Sequence, residues 1–206
     1  MIIAEYSFDE ASGDDVIDTQ GNNFSIAATN VIRTTGKSVG GLTSNGSTAA
    51  TLPDIGRTSN RTIMCWLNNF NTAAEGWIVL FNTPSLDSGA WGILNLSGLI
   101  NIQCRNNSAL ARAQFAKPAD NDWHHIAGTF SNNLISLYID GIVVDTEALT
   151  GPIRTDTDPP KLFGGTTTAV IDDLRFFDTA LTQSEIEDFM NTPVQTNNSK
   201  SNLFFF

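Results

Sequence analysis

The strongest constraint on how this chain folds is the dipeptide Asp140-Gly141, set between two β-forming runs, Leu134 to Ile139 and Ile142 to Val144. Both turn residues tolerate positive φ, so the pair predicts a two-residue hairpin whose twist matches that of its strands. A third alternating run, Trp123 to Phe130, precedes Leu134 across the polar cluster Ser131-Asn132-Asn133. Together the three runs predict a three-strand meander.

This meander contains both histidines of the chain. Alternation puts His124 on one face with Ile126, Gly128 and Phe130, and His125 on the other with Trp123, Ala127 and Thr129. Two adjacent histidines on a strand cannot aim at one ion. The spacing supplies no convergent partner for ligation or proton transfer, so both are read as structural.

Strand-like runs recur outside the meander: Ile2 to Phe8, Ala49 to Leu52, Thr62 to Leu67, Trp77 to Phe81, Trp91 to Leu94, Ile100 to Cys104, Lys161 to Phe163 and Val170 to Phe177. Many short strands with no alternating helices predict an all-β, two-sheet antiparallel sandwich. One short helix stands out near the C-terminal end. Thr182 offers an N-cap hydroxyl, Glu185 the carboxylate three residues on, and Leu181 with Ile186 a hydrophobic staple. Thr192-Pro193 ends it. Two turns are too few to stand alone, so this helix must dock on the sandwich.

The 206 residues, 41% of them hydrophobic, suffice for one all-β domain with a real core. Twenty-two acids against 11 bases give a formal charge of −11. That excludes nucleic acid and anionic membrane surfaces as expected partners, because both require clustered Lys and Arg. The opening "MIIAEYSFDE" lacks a basic n-region and is broken by Glu5, so it reads as a first strand rather than a secretion signal. The expectation is a soluble protein made in the cytoplasm. Cys65 and Cys104 lie in apparent strands and are read as buried free thiols.

Residues 193–206 change character: a polar, turn-rich linker leads to Leu203, Phe204, Phe205 and Phe206. Two readings stand. The apolar segment folds back on its own domain, or it inserts into another subunit or a different protein and anchors the module there.

Sugar binding needs exposed aromatic platforms beside amides and acids. Trp77, Trp91 and Tyr138 are candidate platforms, with Asn68, Asn69, Asn82, Asn106 and Asn107 in nearby turns; Trp66 and Trp123, inside apolar strands, are assigned to the core. Glu185, Glu187 and Asp188 fall on the helix, and alternation sends Asp172 and Asp173 to opposite faces. No Ser-His-Asp or Cys-His set follows from spacing.

In order along the chain, "YSFDEASGDDVIDTQGNN", "TGKSVGGLTSNGSTAATLP", "RTIMCWLN", "DWHHIAGTFSNNLISLYIDGIVV" and "AVIDDLRFFDTALTQSEIEDFMN" resemble the laminin G-like, concanavalin A-like jelly-roll family over residues 2–191. The resemblance implies a jelly-roll domain over 1–192, followed by the tail of 193–206. It also implies a structural calcium ion between Asp18 and Asp172; in the alternative, Asp18 caps a turn and Asp172 bonds a backbone amide. Relatives that hydrolyse glucans carry Glu-x-Asp-x-x-Glu on one strand, and that pattern is missing here, so no catalysis is expected.

The fold hosts many activities. The expectation is a recognition or decoration module on a phage or virus particle. Leu203 to Phe206 would bind another virion protein or subunit, and the sandwich would face outward toward a surface glycan, through Trp77, Trp91, Tyr138 and Asn106. The alternatives are a soluble or extracellular carbohydrate-binding module and a purely structural cement protein.

Overall fold

The alternating runs close into two antiparallel sheets packed face to face. The computed structural model describes residues 1–206 apart from 28, 47–48, 56–57, 71–74, 84–85, 154–157 and 196–206, and the side chains of 82–90 also stand outside the description. Leu203 to Phe206 and the side chain of Asn82 therefore lie outside the described residues.

In chain order the strands are β1 (Ile2–Tyr6), β2 (Asp15–Val16), β3 (Phe24–Ser25), β4 (Val31–Thr35), β5 (Gly40–Ser44), β6 (Ala50–Thr51), β7 (Arg61–Asn68) and β8 (Gly76–Thr83). They continue with β9 (Leu86–Leu96), β10 (Leu99–Arg105), β11 (Leu110–Ala116), β12 (His124–Ser131), β13 (Leu134–Ile139), β14 (Ile142–Ala148), β15 (Lys161–Gly165) and β16 (Val170–Phe177), followed by helix α1 (Gln183–Met190). An eight-stranded sheet runs β14-β13-β12-β7-β16-β5-β4, with β1 also paired to β16. A six-stranded sheet runs β11-β10-β9-β8-β15-β6. β2 and β3 form a small ribbon.

The meander forms as its turn residues dictate. Asn132 and Asn133 take φ of 50° and 61°, and Asp140 and Gly141 take 51° and 81°, so both turns are of the left-handed kind that hairpins favour. Ser131 pairs with Leu134 and Ile139 with Ile142 across them. The first strand ends at Tyr6 rather than Phe8, which turns to φ 58°. Strands β4, β5 and β11 carry no clear alternation in the sequence, because Gly, Thr, Ala and Arg along them do not mark faces.

Between the sheets lies one apolar cluster that includes Tyr6, Ile63, Cys65, Leu67, Trp91, Ile102, Cys104, Ile126, Phe130 and Phe176. Both cysteines are free and buried there, and burial pushes both thiols up. The sheets touch closely at Gly128, where an added Cβ would stand 2.6 Å from Ile102 Cδ1. A second cluster lies on the other face of the eight-stranded sheet: Met64, Ala127 and Phe177 under Leu181 and Ile186 of the helix segment.

α1 begins at the expected capping box. Thr182 accepts from Glu185 N, and the Glu185 carboxylate accepts from Thr182 N at 2.7 Å. Arg175 of β16 reaches over to bond the carbonyls of Phe189 (3.0 Å) and Thr192, which ties the end of the helix to the sheet.

Candidate functional site

β16 changes neighbours halfway along one of its edges, pairing first with β5 (Val170, Ile171) and then with β1 (Leu174 to Phe177). A bulge falls at the changeover: Asp172 opposes Trp66, Arg175 opposes Met64, and Asp173 sits at φ 48°. The extra residue breaks the alternation on which the sequence reading depended. Asp172 and Asp173 are therefore not sent to opposite faces, and both lie within the field of Arg175.

Both carboxyls are buried. Asp172 Oδ2 accepts from Lys37 N (2.8 Å) and Ser38 N (3.3 Å), and its Oδ1 from Asp173 N (2.7 Å); Asp173 Oδ1 accepts from Val194 N (3.0 Å). Burial, with the Asp173 charge adding to it, pushes Asp172 up to about 7. Burial likewise raises Asp173 to about 6, against the pull of Arg175. Asp172 thus holds the turn that carries Lys37, and Asp173 holds the chain after the helix.

The pairing register then places a row of side chains across this outer face, His125 opposite Trp66 opposite Asp172. One step toward the end of the sheet, Asn68 opposes Val170, and the alternation of β12, carried one residue back before His124, assigns Trp123 to the same face. Trp66, Asn68 and Trp123 are all partly exposed. The exposed Lys37 lays its ammonium 4.0 Å from the centroid of the Trp66 ring. It makes no ion pair among the described residues.

His125 lies in this row beside Trp66. It is 1% exposed, edge-on to Trp66 at 5.3 Å, and neither ring nitrogen has a hydrogen-bond partner. Burial, helped by Arg175, pushes it down to about 3, so the ring is neutral.

His124 points the other way and is not isolated. Its Nδ1 lies 2.7 Å from Asp140 Oδ2 and its Nε2 2.8 Å from Asp120 Oδ1, a convergence that the spacing of the sequence did not reveal. Burial pulls its pKa down, but the two carboxylates outweigh it and the net shift is upward. Asp140 Oδ1 also accepts from His125 N at 2.8 Å.

The residues expected to bind sugar are dispersed. Trp91 is 1% exposed and fills the space between the sheets, so it is not a platform. Tyr138 is partly buried against the cluster under α1. Asn106 is fully engaged: its Nδ2 bonds the carbonyls of Thr150 and Pro152, and its Oδ1 accepts from Ser108 N and Ala109 N. Trp77 is partly exposed but pressed on Gly164, where a Cβ would stand 2.0 Å from Cε2.

The assignment of Trp66 and Trp123 to the core is corrected as well. The sequence had already put Trp123 and His125 on one face. The missing signal was that this face turns outward and that a two-turn helix covers only part of it.

Asp18 and Asp172 do not fit one shared ion. Asp18 Oδ1 accepts from Glu5 N (2.6 Å), and Oδ2 from Asn22 N (2.9 Å) and Asn22 Nδ2 (2.7 Å). The donors around Asp172 come from other segments, Lys37, Ser38 and Asp173. Nitrogen–hydrogen donors converge on both carboxylates, whereas calcium needs six to eight oxygens. Among the described residues no group of three or more His, Cys, Asp and Glu is arranged to hold a metal.

Two antiparallel sheets packed face to face with a short docked helix make a jelly-roll sandwich. A family model described as "Concanavalin A-like lectin/glucanases superfamily" matches residues 42–187, and the chain belongs to that superfamily. No curated protein matches it in sequence.

Among solved structures, the botulinum neurotoxin serotype G binding domain superposes with a TM-score of 0.72 at 18% identity, over 91% of this chain and 50% of that one. The binding domain of Paraclostridial Mosquitocidal Protein 1 gives 0.70 at 17% identity, over 92% and 52%. Trypanosoma rangeli sialidase gives 0.64 at 14% identity, over 90% and 32%. At these identities the likeness is one of fold, and the chain spans about half the length of the toxin binding domains it matches.

Proposed function

We propose that this domain is a non-enzymatic glycan-recognition module, and that its binding face is the outer surface of the eight-stranded sheet around Trp66 and Trp123. The observation that carries this reading is the partly exposed Trp66 indole on the outer sheet face under Lys37, with partly exposed Asn68 and Trp123 assigned to the same face by the strand register carried one residue before β12. Indole faces stack on the C–H faces of sugar rings, while amides and charged groups meet hydroxyls, which is the composition that such sites use. A fold shared with a toxin receptor-binding domain agrees with a recognition role. The buried acids Asp172 and Asp173 are held by backbone N–H groups rather than turned toward an open cleft, which supports a binding role over glycan cleavage. A glycan array probed with the purified protein tests this: Trp123→Ala and Trp66→Ala should each lose binding at least tenfold while keeping the melting temperature within a few degrees. An array with no bound glycan would sink the reading.

A second reading rests on the charge of −11. Such a surface suits display on the outside of a virion, away from packaged nucleic acid, with Leu203 to Phe206 as the contact to another particle protein. Deleting residues 199–206 should then abolish incorporation into the particle. In either setting the fold is expected to hold without calcium, so melting curves with and without a chelator should coincide.

A further inference from the structure

Lys37 forms no salt bridge among the described residues, and shares with Arg175 the field of the buried Asp173, in a chain where acids outnumber bases two to one, 22 to 11. It is nonetheless held in place. Gly36 N bonds Val39 O at 3.2 Å, Gly40 N bonds Asp9 Oδ1 at 2.8 Å, and Asp172 Oδ2 takes the N–H groups of Lys37 and Ser38, so the turn that carries it is pinned at both ends and at its centre. Gly36 allows the close approach: a Cβ there would stand 1.8 Å from Gly40 O and 2.7 Å from Asp172 Oδ2. The ammonium then rests on the Trp66 ring. A cation fixed over an indole, on the face where the register puts Asn68, whose Nδ2 bonds Asn121 O at 2.6 Å, and, carried one residue before β12, Trp123, is an anion-pairing point beside a stacking surface.

Beside Trp66 in the same row lies a buried polar side chain left unpaired. His125 is nearly fully buried, neutral, and without a partner for either ring nitrogen. A buried polar group left unpaired costs about 1–3 kcal/mol in general, so each one in a native fold calls for an explanation, of which a bound ligand or ion is one.

From this we infer that the patch selects an acidic sugar: a ring bearing a carboxylate or a sulfate stacks on Trp123 while its anionic group pairs with Lys37. This deepens the glycan-recognition reading and rests on it. Lys37 is the specificity-determining residue, and Asp172 is a positioning residue that acts through the turn. The rest of the surface repels an anionic ligand, but screening confines that repulsion to about 8 Å at physiological salt, so the local cation decides.

The experiment uses the full chain on an array of matched pairs. Oligogalacturonates are printed beside their methyl esters, sialylated glycans beside their asialo forms, and O-sulfated glycans beside their unsulfated forms. The carboxylate and sulfate arms separate the two sources of charge. Wild type should bind at least one acidic member ten times more tightly than its neutral mate. Lys37→Met should erase that preference, Lys37→Arg should keep most of it, and Trp123→Ala should lose both mates. Equal binding of acidic and neutral mates, unchanged in Lys37→Met, overturns this inference and leaves the glycan reading standing. Preference for an acidic mate that survives Lys37→Met overturns it too, since the charge is then read elsewhere. Binding to neither member of any pair defeats both. Lys37 is exposed, so its variants should fold, and matching melting curves check that they do.

Discussion

Asp140 binds His124 side chain to side chain, its Oδ2 2.7 Å from His124 Nδ1, while its other oxygen caps the backbone N–H of His125. One turn residue therefore fastens the start of β12 to the β13–β14 hairpin. Asp120 closes the other side of the imidazole, and Phe70 meets it edge-on at 6.2 Å.

This arrangement sets a pH dependence. The pKa of His124 is raised on folding, so its contribution is fully present below the unfolded value, about 6.5, and is lost as pH rises through the folded value. Asp120 moves down, first through its bond to His124, and its contribution is lost as pH falls through its own folded value. Thermal melts from pH 5 to 9 should show wild type losing stability on the alkaline side of this window. Asp140→Asn should flatten that loss and cost about 1 kcal/mol below it, through the weakened bond to a charged ring. Parallel profiles for the two proteins would contradict this.

Asp172 acts in the opposite sense to an ordinary ion-paired acid. Its folded value of about 7 lies above the usual 3.8, so between those values the native state keeps a proton that the unfolded chain has released. Stability must therefore fall as pH rises from about 4 to 7 and then level off. Urea unfolding of Asp172→Asn at five pH values should give a shallower fall than wild type, with Asp173 supplying what remains. An unaltered slope would show that the carboxyl is charged throughout.

Gly128 is a tight point between the sheets that a methyl group can probe. Gly128→Ala should destabilise by about 1–3 kcal/mol, since Ile102 presents three side-chain atoms within 2.8 Å of the new Cβ. Adding Ile102→Val should recover part of that loss. Denaturant melts of the three variants check both statements.

The sequence made the meander, the helix cap and the two buried cysteines legible because each depends on neighbours along the chain. Asp140-Gly141 and Thr182-x-x-Glu185 carry their geometry locally. The bulge at Asp172 and Asp173 was not legible, because it arises where β5 and β1 share one edge of β16, a fact of pairing between distant segments. For the same reason Trp91 and Trp66 exchanged roles. Both lie in apolar strands, and only the layer order tells which face meets the second sheet. The His124 clamp was hidden because Asp140 joins it across a hairpin.

The most direct test of the account is a two-dimensional NMR titration of the four tryptophan indole N–H signals with the tightest glycan found on the array. With the outer face as the binding surface, the Trp66 and Trp123 signals shift with ligand while Trp77 and Trp91 stay in place. A shift confined to Trp77, with the outer-face pair unmoved, would contradict it.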